Sequence, residues 1–198
     1  MVRGLRGLTP GFTILELLFA LAIAGTLTTI AVPQGLRALD DFRTRAAARY
    51  LAQRLGNARL SAIKQSRAHG LRFETASPDY HVTTVADGNG NGLRTSEIQT
   101  GVDLTLTAPE TLATHFPYVV FGILDDIPDV DGQPANGGDG VRVGVSKLLA
   151  MIPDGTSTSG TLYLRGRERA QYAVRVLGVT GRVRVLVYDH VRRRWKDQ

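Results

Sequence analysis

The sequence predicts an α+β fold: one long N-terminal helix packed on an antiparallel β-sheet or sandwich domain. Three observations predict it. An apolar run from Phe12 to Pro33 gives way to apolar residues spaced three and four apart, the helical period. After Gly70 the pattern alternates in short stretches separated by turn residues, the strand period. No strand–helix–strand rhythm follows, so the sheets should be antiparallel.

The first element is long enough to cross a bilayer. At about 1.5 Å per residue, a helix from Phe12 to Pro33 spans a hydrocarbon core about 30 Å thick. Glu16 is its one ionisable residue. A charge in a span costs about 2.5 kcal/mol or more, so it usually faces a partner. Residues 1–11 carry Arg3 and Arg6 with no carboxylate, and such a basic leader tends to stay cytoplasmic. A cut between Gly11 and Phe12 would place a new amino group about one helical turn from Glu16. A secretory signal peptide, with Ala22-Ile23-Ala24 as its small-residue site, would leave most of the run on the product. A plain anchor or a buried helix accounts for the apolar length and not for Glu16.

At these residues the chain resembles the type IV prepilins and the pseudopilins of type II secretion. The resemblance rests on the basic leader, Gly11 before Phe12, Glu16, the apolar run and Pro33. It implies a prepilin peptidase that cuts after Gly11 and N-methylates Phe12. It also implies an inner-membrane subunit whose helix packs in a fibre with other pilin subunits, where Glu16 neutralises a Phe12 amine. The expected organisation is a leader over 1–11, a transmembrane helix over 12–33, an amphipathic outer half over 34–70 and a periplasmic β-rich domain over 71–198.

Pro33 lacks an N–H and disfavours helix at Val32, so it is expected to kink or interrupt the helix. Beyond it, Ala47, Leu51, Leu55, Ala58 and Ala62 form one apolar stripe. The other faces carry Arg37, Arg43, Arg45, Arg49, Arg54, Arg59, Lys64 and Arg67, either solvated or set against headgroups and neighbouring subunits. Strands are expected over Leu71–Glu74, Tyr80–Val85, Val102–Leu106, Tyr118–Phe121, Thr161–Leu164, Tyr172–Leu177 and Val183–Tyr188. Gly178 to Gly181 should close a hairpin between the last two.

Looser motifs, mostly turns, extend the resemblance to the GspH/FimT group. They are Ala58 to Ile63, Gly90-Asn91-Gly92, Pro153-Asp154-Gly155-Thr156 before Gly160-Thr161-Leu162, and Gly181-Arg182-Val183-Arg184. Gly122 to Gly144, acidic and rich in Gly, Pro and Asp, departs from that pattern and reads as an insertion.

Charge is segregated along the chain. Residues 1–70 hold ten Arg/Lys against three Asp/Glu, residues 71–164 four against twelve, and residues 165–198 ten against three. The chain has no cysteine, which excludes disulfides and thiolate ligands. His69, His81, His115 and His190 are scattered, and no nucleophile, base and orienter can be assembled from the sequence. A non-enzyme without a cofactor is the expectation.

Two segments carry candidate binding chemistry. Asp87, Asn89 and Asn91 alternate before a glycine as in a calcium loop, but position twelve is Ile98, with Glu97 one residue early. The same stretch reads as an ordinary Gly/Asn turn. In the tail, Arg182 and Arg184 should share one strand face. Arg192, Arg193, Arg194 and Lys196 follow, with Trp195 as an aromatic that either stacks a base or caps the core. Some FimT-like minor pilins bind DNA through a Gly-Arg-x-Arg stretch, which Gly181, Arg182 and Arg184 match. The resemblance therefore implies either a minor pseudopilin supporting protein export, with exported cargo as a partner, or a minor type IV pilin capturing DNA for transformation.

Overall fold

The computed structural model describes residues 11–135 and 138–198. The expected leader lies outside the described residues except for Gly11. Helix α1 runs from Ile14 to Gln65, and the chain divides after Ala38 into an N-terminal unit and a folded unit, Leu39–Gln198.

In the N-terminal unit every described residue of α1 is exposed, and the helix is long and apolar enough to cross a membrane. Contrary to the expected interruption, α1 continues through Pro33. Proline there removes one i to i−4 bond, yet the turns on both sides keep theirs, a loss that membrane helices tolerate. The helix stops at Gln65, where Ser66 takes a positive φ of 52°. The expected outer half therefore ends short of residue 70, whose residue already belongs to a strand.

Among the described residues, ten strands and two short helices follow: β1 (His69–Ala76), β2 (Asp79–Ala86), α2 (Thr95–Thr100), β3 (Leu104–Thr105), α3 (Leu112–His115), β4 (Val120–Phe121), β5 (Val141–Arg142), β6 (Leu148–Met151), β7 (Gly160–Arg165), β8 (Gln171–Leu177), β9 (Arg182–Asp189) and β10 (Arg194–Asp197). One sheet has the order β3-β2-β1-β6 and the other β10-β9-β8-β7-β4, with β5 also on β7. Every pairing is antiparallel. The expected strands over 102–106 and 118–121 shrink to two residues each. The hairpin over Gly178–Gly181 forms, with Leu177 opposite Arg182, but it is not terminal, since β10 pairs with β9 beyond it.

Both sheets turn one face to the folded part of α1. The stripe of Ala47, Ala48, Leu51, Leu55, Ala58 and Ala62 meets Leu71 and Phe73 of β1, Leu149 and Met151 of β6, and Leu162, Tyr172 and Val174 of β7 and β8. Small residues at Ala47, Ala48, Ala58 and Ala62 let the backbones approach, and the leucines fill the space between them. Each sheet's outer face has a cover of its own. On the first, Ile98 of α2 packs on Val85 and Leu148. On the second, Ile123, Ile127 and Ala135 pack on Tyr163, Ala173, Leu186 and Tyr188. The acidic segment read as an insertion thus carries a second core. Its Asp126 pairs with Arg169 of the β7–β8 turn, Asp129 with Arg142 of β5, Asp131 with Arg175 of β8, and Asp139 with Lys147.

The firmest tie between α1 and the second sheet is polar. Asp40 is 6% exposed, and its side-chain oxygens accept the backbone N–H groups of Arg167, Glu168, Arg169 and Ala170 at 2.7–3.3 Å. These residues form the β7–β8 turn. A Cβ on Gly166 would stand 2.3 Å from Asp40 Oδ1, so only glycine fits there. Next to it, Asp41 accepts the Tyr172 hydroxyl at 2.8 Å.

Candidate functional site: an uncovered apolar helix and a divided basic tail

Phe12, Ile14, Leu15, Leu17, Leu18, Phe19, Leu21, Ile23, Leu27, Ile30 and Val32 are all at least half exposed. Exposed apolar surface of this extent is the kind that lipid or another protein surface covers. Glu16 lies at its start. Thr13 begins the helix by accepting the Glu16 N–H on its Oγ1 at 3.2 Å, while its carbonyl accepts the Leu17 N–H. Thr13 and Glu16 hold the spacing of a capping box, with a threonine cap and a glutamate three residues on. The sequence reading missed this local role for Glu16, although Thr13-Ile14-Leu15-Glu16 spells it. An acidic residue in a first turn also faces the positive end of the helix dipole.

The basic residues of the tail do not come together. Arg182 and Arg184 do share the outer face of β9, as expected from their spacing, beside the buried Leu186 and Tyr188 of the same face. Gly181 has a positive φ of 58°, and a Cβ there would stand 2.5 Å from the Gly155 carbonyl oxygen. Glycine therefore fixes the hairpin that presents Arg182. Arg192 and Arg193 lie beyond the other end of β9, about 20 Å away at about 3.3 Å per residue. Arg194 and Lys196 alternate with Trp195 and so point to the face opposite Arg182 and Arg184.

Arg184 is engaged by Asp197 through two contacts, one of them Nε to Oδ1 at 3.0 Å. Lys196 lies 3.4 Å from Asp189, whose carboxyl is held below its usual range first by the Arg192 N–H and then by Lys196 among other groups. Of the two roles open to Trp195, packing against the core is the one its contacts match. Its ring meets Tyr163 and Tyr188 at 5.8 and 5.4 Å, and its Nε1 donates to the Pro128 carbonyl at 2.9 Å. An aromatic flanked by arginines marks a nucleic-acid surface only when its face is free, and this one closes the second core.

The Asp87 loop is held by its own backbone. Asp87 accepts the N–H groups of Asn89, Gly90 and Gly92, and Asp103 those of Gly88 and Arg94. Burial alone would raise the Asp87 carboxyl, but the donors from Gly92, Gly90 and Asn89 hold it below its usual range. Asn89 and Asn91 turn their amide nitrogens to Glu97 at 2.9 Å each. Donor amides and a backbone-bound carboxylate form a closed turn, and no group of three or more metal-binding side chains occurs among the described residues.

The histidines sit on separate elements: His69 bonds Gln65, His115 bonds Glu110, and His190 bonds the Arg169 carbonyl. A network not foreseen from sequence surrounds Glu110, which accepts from Tyr50, His115 and Arg54, while Arg54 also reaches Thr84 at 2.6 Å. Burial pushes the Glu110 carboxyl up, but His115, Tyr50 and Arg54 outweigh it and bring it below its usual range. These contacts tie α1 to the loop before α3. Comparison with known proteins finds no matching family model, curated protein or solved structure.

Proposed function

We propose that this chain is a pilin-like assembly subunit, a minor pseudopilin of a type II secretion system. In this reading it inserts once into the bacterial inner membrane, with its N-terminus cytoplasmic before processing and its folded unit periplasmic. A prepilin peptidase cuts after Gly11 and N-methylates Phe12. The helix then enters a short fibre with other pseudopilin subunits, supporting export of folded proteins. The subunit acts by assembly and not by catalysis. The observation that carries the reading is the uncovered apolar half of α1, which continues without a break into the helix of a folded core. Such a helix anchors the subunit in a bilayer and then exchanges lipid for neighbouring helices.

Processing tests it directly. Mass spectrometry of the membrane-extracted protein is expected to find Phe12 at the N-terminus and one methyl group heavier. An intact Met1 terminus in cells that contain the peptidase would rule out the reading.

A second reading, DNA capture by a FimT-like minor pilin, is favoured by Arg182 alone. It is exposed beside the Gly181 turn, and among the described residues no carboxylate lies within ion-pair distance of it. The detergent-solubilised chain should then shift duplex DNA at low salt, with Arg182→Ala removing about one unit of the salt slope. No shift at low salt, or a shift unchanged when Arg182 and Arg184 are both alanine, would exclude it.

A further inference from the structure

Where the start of β2 meets the ends of β4 and β7, the folded unit holds a cavity of about 310 Å³. Pro78, Tyr80, Phe121 and Ile123 give it apolar walls, and the rings of Tyr80 and Phe121 meet edge to face at 5.9 Å. Asp79 lines it and is only 7% exposed. One oxygen, Oδ1, accepts the Phe121 N–H at 3.0 Å; the other, Oδ2, has no hydrogen-bond partner among the described residues. Burial pushes the carboxyl above its usual range, against the Phe121 and Tyr80 N–H groups and the charges of Arg165 and His81. A second unmatched charge lines the same cavity. Arg165 is exposed and lies across Gly122, where a Cβ would meet its Nε at 3.0 Å. Among the described residues no carboxylate lies within ion-pair distance of it. Asp139 takes Tyr80, Lys147 and the Val141 N–H, Asp126 takes Arg169, and Asp125 and Glu168, which make no ion pair, stand beyond that distance.

We infer that this cavity is a binding site for a free α-amino acid with an apolar side chain, its ammonium paired with Asp79 and its carboxylate with Arg165. The inference goes beyond the assembly reading and holds for the folded unit by itself, since every residue it uses lies in Leu39–Gln198. A buried carboxyl oxygen without a donor is costly, and a ligand ammonium supplies the donor. A ligand with one charge leaves the site half matched: an amine alone faces the Arg165 guanidinium, and a carboxylate alone faces Asp79. A zwitterion matches both through charge-assisted hydrogen bonds, and the arginine fork suits a carboxylate. The apolar walls take the ligand's side chain. The volume stands at the lower end of the range of about 300–1,000 Å³ usual for small-ligand pockets, which suits a single amino acid. A longer extended peptide sets its two termini too far apart to reach both groups.

Isothermal titration of the detergent-solubilised full chain with alanine, valine, leucine, methionine and phenylalanine tests the site, together with the amide and the desamino acid of the tightest binder. The amide lacks the carboxylate and the desamino acid lacks the amine. At least one amino acid is expected to bind at millimolar concentration or below, and each analogue to bind at least about tenfold more weakly. Arg165→Gln should weaken the amino acid by about tenfold or more, with Arg165→Lys in between. Asp79→Asn, which keeps an acceptor for the Phe121 N–H, should weaken it as much. Arg165 is exposed, so its variants carry the test if Asp79→Asn fails to fold, as read by Trp195 fluorescence. No binding of any of these amino acids overturns the inference, as does unchanged affinity in Arg165→Gln. An amide that binds as tightly overturns it by making the cavity an amine site, and a desamino acid that binds as tightly by making it a carboxylate site.

Discussion

Asp40→Ala is expected to destabilise the folded unit by about 3–5 kcal/mol, the usual loss when a buried charged partner is removed from its hydrogen bonds. Four backbone N–H groups lose their acceptor at once. The turn that loses them joins two of the strands packed on α1, so the damage reaches the core. Against a typical stability of about 5–15 kcal/mol this is a large fraction, and at about 2–4 °C per kcal/mol it lowers Tm by roughly 10 °C. Asp40→Asn should recover little, because its amide nitrogen would point at donors. Glu168→Ala, which keeps the backbone N–H, should stay within about 0.5 kcal/mol. The sole tryptophan, Trp195, lies half-buried in the second core, so its fluorescence during urea unfolding of the detergent-solubilised chain reports the change. A loss under about 1 kcal/mol for Asp40→Ala would mean that the turn finds other acceptors.

Asp40 also illustrates what a sequence conceals. It lies in phase with Thr44, Ala47, Leu51 and Leu55 on the buried stripe, but a polar residue there breaks the hydrophobic pattern instead of extending it. The stripe therefore seemed to begin at Ala47. A carboxylate in phase with an apolar stripe was the available signal, and its partners are backbone groups, which leave no mark on side-chain spacing. The strands β1, β2, β7, β8 and β9 were legible because each runs six to eight residues, with β-branched or aromatic side chains between turn residues. Strand β6 was not, since Leu148-Leu149-Ala150-Met151 is buried on both faces and shows no alternation. Strand β10 is a charged edge whose pairing is decided by β9. In the acidic segment, Ile123 and Ile127 are too sparse among Gly, Pro and Asp to read as core, though both are almost fully buried.

The uncovered helix was legible from composition alone, because twenty-odd apolar residues have few physical outcomes. The tail was less so. Spacing placed Arg182 and Arg184 on one face, but the extra strand that turns Trp195 inward and brings Asp197 to Arg184 depends on tertiary contacts. Clustering in sequence thus overstated clustering in space.

Glu16→Gln is expected to reduce incorporation into the fibre tenfold or more while leaving membrane insertion unchanged, and this variant separates the two roles open to Glu16. If Glu16 serves only the helix start, glutamine is a fair substitute, since capping boxes accept either residue. Thr13→Ala, which removes the observed cap bond, should then do more harm than Glu16→Gln, about 1 kcal/mol. If Glu16 instead neutralises the amine of Phe12 in a lipid-like interior, only charge suffices. An unpaired ammonium there costs several kcal/mol, and tenfold corresponds to about 1.4 kcal/mol. Under the proposed function Glu16→Gln therefore fails where Thr13→Ala succeeds. Cross-linking of sheared fibres measures incorporation, and carbonate extraction measures insertion. Wild-type incorporation of Glu16→Gln would reduce Glu16 to a capping residue and remove the charge-pairing step from the assembly mechanism.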